Sequence, residues 1–307
     1  MARYVIIRLL QGIVVLLVAL IVVFVLGRMT GNPVWVMLGE NARPEDIALL
    51  TANLGLDKPL PQQFWIFISN AVRGDFGNSL HYRAPVINFI KECAPATVKL
   101  TVLSMLFSIL ISVPAGVFGA LKRNQWPDAS GKVFAILGQS VPPFWLGILL
   151  IQIFAVQLGW LPAGGSGDFK YLILPAITLG FHSTAGALRF TRSAMLDALG
   201  TDYVKLARIK GLREGLVIWK HALRNALIPV ITFYSMVFAR KLMGTVVVET
   251  IFGWPGLGRL AYQAVMFRDF PMMQGLILTF VGIFVFVNLI VDIAYCYLDP
   301  RIRYVKE

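Results

Sequence analysis

The sequence predicts an all-α membrane protein with six transmembrane helices, from three observations: an apolar excess, six long apolar stretches and a sided distribution of charge. Of 307 residues, 57% are apolar and 14% charged, against about 45–50% and about 25% in soluble domains. That excess calls for a hydrocarbon solvent rather than a larger core. A helix crossing about 30 Å of hydrocarbon needs ~20 mostly apolar residues. Six stretches qualify, near 9–27, 98–121, 133–158, 171–188, 226–248 and 274–298.

Taken in order, the first stretch follows Arg3 and Arg8 and so resembles a signal peptide. It is long for one, and Gly27-Arg28-Met29-Thr30 follows it instead of a small-x-small cleavage site, so it reads as an uncleaved span. The second and third each read as a single span. The fourth contains Gly180, His182, Ser183 and Thr184, and a break is expected there. Such breaks are tolerated where a span faces protein or a water-filled cavity. The fifth carries Arg240 and Lys241 about midway between Pro229 and Val248, and the sixth carries Asn288 and Asp292.

Net charge is +12, from 28 Lys+Arg against 16 Asp+Glu. The bases fall on one set of connections: Arg3 and Arg8, then Lys122, Arg123 and Lys132, then 189–224, then Arg301, Arg303 and Lys306. Between Arg189 and Arg224 eight bases face three acids, whereas from Gly31 to Lys99 six face six. Positive charge marks the cytoplasmic side, which puts both termini inside. Topology and anionic headgroups account for the basic excess, and nucleic acid is not required.

Three connections carry further information. Region 31–97, outside, contains Pro44–Leu50, which has the pattern of a short amphipathic helix, and the aromatic run Phe64-Trp65-Ile66-Phe67-Ile68, suited to an interface. The inside loop 189–224 is basic and helix-prone. The outside loop 249–273 begins with too much Gly and Pro for a simple helix. No internal repeat is evident.

Catalytic chemistry is not in view. There is no Gly-x4-Gly-Lys-Ser/Thr phosphate loop and no nucleophile elbow. His81, His182 and His221 fall in three separate regions, and Cys93 and Cys296 form no pair at metal or disulfide spacing. No metal site is expected, and transport leads over a membrane enzyme.

The segment Asp202-Tyr203-Val204-Lys205-Leu206-Ala207-Arg208-Ile209-Lys210-Gly211-Leu212, followed by His221-Ala222-Leu223-Arg224-Asn225-Ala226-Leu227-Ile228-Pro229, resembles binding-protein-dependent ABC importer permeases. The likeness is closest to the dipeptide/oligopeptide/nickel family. Lys205-Leu206-Ala207 stands where the general importer motif has Glu-Ala-Ala, a departure common in the peptide-type branch. Also similar to the family are Leu54–Leu60, Gly74–Ser79, Val248–Arg259, Arg268-Asp269-Phe270-Pro271, Asn288–Asp292 and Leu298–Arg303, so the likeness covers nearly the whole chain in order.

The resemblance implies a type I ABC importer transmembrane fold in a bacterial inner membrane. It implies residues 1–94 as a first helix plus a periplasmic segment, 95–296 as the transport core and 297–307 as a cytoplasmic tail. A coupling helix at about 201–215 would dock into a groove on an ATPase subunit through Asp202, Tyr203, Ala207, Lys210, Gly211 and Leu212. There Ala207 and Gly211, one turn apart, would permit closest approach. Glu249, Trp254, Pro255, Gly256 and Gly258 would shape a loop facing the binding protein. The partners implied are a second permease, two ATP-binding subunits that hold the ATP and Mg, and a periplasmic binding protein. The chain itself would hold no cofactor.

Charges inside a span are functional candidates by default, because each costs at least ~2.5 kcal/mol at the bilayer centre. One of Arg240 and Lys241 is therefore a candidate to meet an anionic substrate group, against the more common structural outcomes of an ion pair with Asp292 or snorkelling. Asn288 and Asp292 are candidates for the pathway wall or for an inter-span hydrogen bond. His182, alone, reads as a packed polar residue. The substrates implied are dipeptides, oligopeptides, nickel chelates, opines or glutathione-like solutes. An ion-driven secondary transporter is the competing class, for which inverted repeats and broken-helix ion sites would be the signs.

Overall fold

The computed structural model describes residues 2–29, 34, 43–53, 55–243 and 245–298, and among these no strand forms. The helices are α1 (Ala2–Met29), α2 (Pro44–Asn53), α3 (Leu60–Val72), α4 (Val86–Leu121), α5 (Trp126–Ser140) and α6 (Pro143–Leu150), which continues in wider π turns over Ile151–Gln157. Then come α7 (Lys170–Leu199), α8 (Asp202–Ile209) and α9 (Glu214–Leu216), which passes through a π segment, Val217–Ala222, into α10 (Leu223–Met243). The last are α11 (Val246–Ile251), α12 (Leu257–Met266) and α13 (Phe270–Leu298). Residues 299–307, with Arg301, Arg303 and Lys306 of the expected tail, lie outside the described residues.

Among the described residues five helices are long and apolar enough to cross a membrane, and the α5–α6 pair makes a sixth if it counts as one span. That pair corrects the expectation for the third stretch. It is two helices bent by 103°. The cause is local: Pro142 and Pro143 supply no backbone N–H and push the residues before them out of the helical region, and Pro142 itself is extended at ψ 136°.

The break expected in the fourth stretch does not occur. Helix α7 runs unbroken through Pro175 and Gly180. Its hydroxyls fold back on their own helix, Thr178 donating to the Leu174 carbonyl and Ser183 and Thr184 to that of Gly180, each at 2.8 Å. Polar side chains thus satisfied need no interruption of the backbone. The small residues allow neighbours to come close. A Cβ on Gly186 would lie 2.8 Å from Phe233 Cζ.

Packing divides the chain into two compact units, 1–95 with 260–293, and 96–259 with 294–307. Residues 260–293 thus group with the first helix, whereas the expected transport core ran unbroken over 95–296. In the first unit, α1 exposes a wide apolar surface, Leu10 and Val14 among it, as lipid-facing helices do. It is held by Phe24 against Phe64 and Phe67 of α3, at 5.2 and 5.8 Å between ring centroids. Gly12 adjoins Val285 of α13, and a Cβ there would lie 2.8 Å from Val285 Cγ1.

In the second unit α7 is central, packed by α5, α6 and α10. The 36 residues of α4 span about 54 Å at 1.5 Å per residue, more than the ~30 Å hydrocarbon thickness. One stripe of α4 is polar and buried: Thr97, Thr101, Ser104, Ser108 and Ser112. Their spacing of three or four residues keeps them on one face. Ser108 and Ser112 each lie 2.8 Å from the Tyr234 hydroxyl of α10.

The α5–α7 contact gives a stability prediction. A Cβ on Gly138 would come within 2.5 Å of Ala185 Cβ, whereas one on Gly131 would sit 3.5 Å from Leu188 Cδ2. Gly138→Ala is expected to destabilise the chain by about 1–3 kcal/mol through overpacking, while Gly131→Ala is neutral. The thermal unfolding midpoints of the two variants in detergent measure the difference.

Candidate functional site

A cavity of about 580 Å³ opens in the second unit. Its lining comes from α5 (Gln139), α6 (Pro143), α7 (His182, Ser183, Arg189 and Phe190 among others) and α10 (Phe233, Val237, Arg240 and Lys241). Four of these side chains are basic or imidazole, and none is a carboxylate.

The two bases of the fifth span have different surroundings. They lie in the last turn of α10 and not midway along the fifth span, because that span begins at Glu214 and ends at Leu242. Lys241 is buried, and its ammonium donates to Ser104 Oγ at 3.1 Å and Ser183 Oγ at 2.9 Å. It joins α10 to α4 and α7. Arg240 is exposed on the cavity.

The ion pair considered with Asp292 does not form with either. Asp292 pairs with Arg8 of α1 at 3.2 Å inside the first unit. Asn288 donates to the Phe284 carbonyl of its own helix at 2.9 Å. Both line a crevice with Arg8 and Gly12. Sequence spacing alone carried no information about which helix they would face.

Helix α8 occupies the expected coupling segment but ends at Ile209. A turn follows in which Gly211 adopts φ +76°, a left-handed conformation suited to glycine, and α9 starts at Glu214. Here the anticipated role of Ala207 is corrected. Ala207 and Val204 are buried against Val117 and Ala120 of α4, Met195 of α7 and Val217 and Ala222 of the π segment. The small side chain lets α8 lie close on its own chain. The opposite face presents Tyr203, Leu206 and Ile209, the last two 55% and 80% exposed, with Leu212 beyond the turn. Asp202 and Lys205 pair at 2.9 Å, and Arg208 meets Glu214 at 2.6 Å. The hydrogen bond to Glu214 raises the Arg208 pKa.

The segment expected to face a binding protein is mostly buried. Glu249 is inaccessible and Trp254 nearly so. The Glu249 carboxylate accepts from the Thr97 hydroxyl at 2.8 Å, the Thr245 hydroxyl at 2.5 Å and the Arg259 amide at 3.0 Å. Thr97 in turn accepts from the Leu257 amide, and the Trp254 indole donates to the Ala96 carbonyl. A Cβ on Gly256 would fall on the Glu249 carboxyl, and one on Gly258 would come within 2.8 Å of the Val246 backbone. Of the five expected residues only Pro255 is exposed.

The sequence reading gives no role to two carboxylates, Asp128 and Asp269. Asp128, fully buried in the first turn of α5, is held by Arg192 Nε and Nη2, by Lys132 at 3.0 Å and by the Asn124 amide at 2.9 Å. An acid in a helical first turn was its visible sign. Asp269 opens α13 by accepting from the Met272 amide at 3.2 Å. It also accepts from the Ser79 hydroxyl and the His81 amide.

With this geometry in hand, the class is defined. The chain belongs to the family of binding-protein-dependent transport system inner membrane components, whose model matches residues 112–304; the model of that family's N-terminal membrane component matches 1–101. It is a multi-pass transmembrane permease of an ABC importer, a system that includes ATPase and binding-protein partners. Among relatives, the glutathione transport system permease protein GsiC of Escherichia coli (strain K12) is 45% identical over 305 residues, 99% of this chain and 100% of that one. The protein of that name in Shigella flexneri serotype 5b (strain 8401) is 44% identical over the same shares. The inward-facing MetNI methionine ABC transporter shares the fold at a TM-score of 0.53 and 18% identity, over 69% of this chain and 96% of that chain. The ion-driven alternative finds no support.

The Glu249 node is testable. A glutamine there has one acceptor oxygen, and its NH2 group must face either the two hydroxyls or the Arg259 N–H. Glu249→Gln is therefore expected to cost about 1–3 kcal/mol, the penalty of an unmet buried donor. It should be read as a lower unfolding midpoint with no change in span topology.

Proposed function

We propose that this chain forms one half of the translocation pathway of an importer for short peptides or glutathione-like solutes, with its basic cavity as this half's share of the path. A homologous second permease completes the pathway. Two ATPase subunits, which hold ATP and Mg, drive it, and a periplasmic binding protein delivers the solute. The chain catalyses no reaction itself. Both termini lie in the cytoplasm of a bacterium, with the outer loops in the periplasm. Near-full-length identity to permeases named for glutathione transport carries this reading, and the carboxylate-free cavity lining agrees with an acidic, tripeptide-sized solute.

The mechanism follows from α8. Its exposed ridge of Tyr203, Leu206 and Ile209 is the surface an ATPase groove would take, with Asp202, Lys210 and Leu212 at its rim. Its opposite face, Val204 and Ala207, is interlocked with α4, α7 and the start of α10. Close-packed interiors transmit displacement because they hardly compress. A push on the ridge therefore moves α7 and α10, the two of these helices that line the cavity, and access changes from one side to the other.

The complex purified from its native membrane should contain two ATPase chains and a second permease. In proteoliposomes it should take up glutathione only with ATP and binding protein. Uptake by this chain alone without ATP would refute the proposal. Within the complex, Leu206→Asp and Ile209→Asp should each weaken ATPase docking by about 10-fold or more, since burying one such side chain contributes about 1.5–3 kcal/mol. The permease itself should keep its unfolding midpoint. Ala207→Leu should show the reverse, a lowered midpoint in the isolated chain. Equal effects of all three on stability would remove α8 as the docking element.

A further inference from the structure

The cavity carries more than general positive charge. Among the described residues Arg189, Arg240 and His182 line it without a hydrogen bond or ion pair to any side chain of their own chain. Lys241 differs, because Ser104 and Ser183 occupy its donors. Guanidinium groups on a cavity wall that no side chain of their own chain meets need water, a partner or a passing anion, and a guanidinium matches a carboxylate in a bidentate geometry.

The two arginines stand at different levels. The 2.9 Å bond from Lys241 to Ser183 fixes the end of α10 beside that turn of α7. Arg240 and His182 are the sequence neighbours of these two residues and belong to that level. Arg189 lies six residues further along α7, about 9 Å away at 1.5 Å per residue. Beside it Phe190 and Phe233 pack at 4.8 Å between ring centroids, an apolar wall at the second level.

We propose that Arg240 with His182, and then Arg189, are two successive rungs that recognise a carboxylate of the solute and pass it along the cavity. The proposal rests on the importer reading above and adds a charge class: solutes with a free carboxylate and a net negative charge. Two rungs of moderate strength suit transit better than one tight site, because a solute must leave as readily as it enters.

The test uses the assembled importer in proteoliposomes, with radiolabelled glutathione as the probe and the binding protein unchanged. Arg240→Gln and Arg189→Gln should each lower the solute carried per ATP hydrolysed by roughly 10-fold, the scale of one charged hydrogen bond. Binding-protein-stimulated ATPase activity should persist. Arg240→Lys, which keeps the charge but not the bidentate fork, should recover part of the uptake. An unchanged transport ratio in both glutamine variants overturns the rungs, as does a loss that lysine does not relieve. Dissociation of the second permease from the Arg240→Gln complex also overturns them, in favour of an ion pair between subunits. Absence of ATP-dependent uptake by the native complex would instead strike at the importer reading itself.

Discussion

Hydrocarbon offers no hydrogen bonds, and this one constraint orders the rest of the molecule. Every polar group within a span must be met by the protein itself. The buried stripe on α4 shows how: Thr97 serves Glu249, Ser104 serves Lys241, and Ser108 and Ser112 serve Tyr234. These bonds tie α4 to α10 and α11, and Thr97 also accepts from the Leu257 amide at the start of α12. Asp292 finds Arg8 by the same logic in the first unit. Among the described residues the hydroxyls of Thr101, Thr191 and Thr250 are buried without a hydrogen-bond partner.

The same constraint separates structure from function among residues of one chemical type. Lys241 and Arg240 are adjacent and both cationic, yet one is held by two serines and the other faces a cavity. Glu249 and Trp254 belong to a Gly- and Pro-rich segment that resembles an exposed recognition loop, yet three donors converge on the carboxylate and the indole is spent on Ala96. Composition marks these residues as unusual. Only the partners decide whether the unusual residue holds the protein together or meets a ligand.

Legibility in the sequence follows the range of the signal. Solvent preference is a property of twenty-residue windows, so the membrane class and the apolar stretches could be read directly, and motifs in order along the chain pointed to the permease family. Helix continuity is a contest between neighbours, and here the reading misjudged it. Gly180, Ser183 and Thr184 looked like breakers but bond back to their own helix, whereas the Pro142-Pro143 pair, inside an apolar run, bent the chain by 103°. Side-chain direction was the least legible. Ala207 was assigned to a partner groove and proves to be the contact with Val117 and Met195. Asp128 passed unnoticed because its partner Arg192 is 64 residues away.

Coupling and recognition then become parts of one mechanical unit. The core that buries Ala207 also contains Val117 of α4, Met195 of α7 and Ala226 of α10. Arg189 stands on the same helix as Met195, fewer than two turns away, and Arg240 on the same helix as Ala226. On the coupling proposed above, a displacement of α8 would carry over to α7 and α10, because close-packed cores hardly compress. The Lys241 ammonium fixes the far end of that wall by bonding α10 to α4 and α7 together. In that proposal force would enter at the apolar ridge, pass through close packing and reach a cavity where two arginines have no side-chain partner in their own chain.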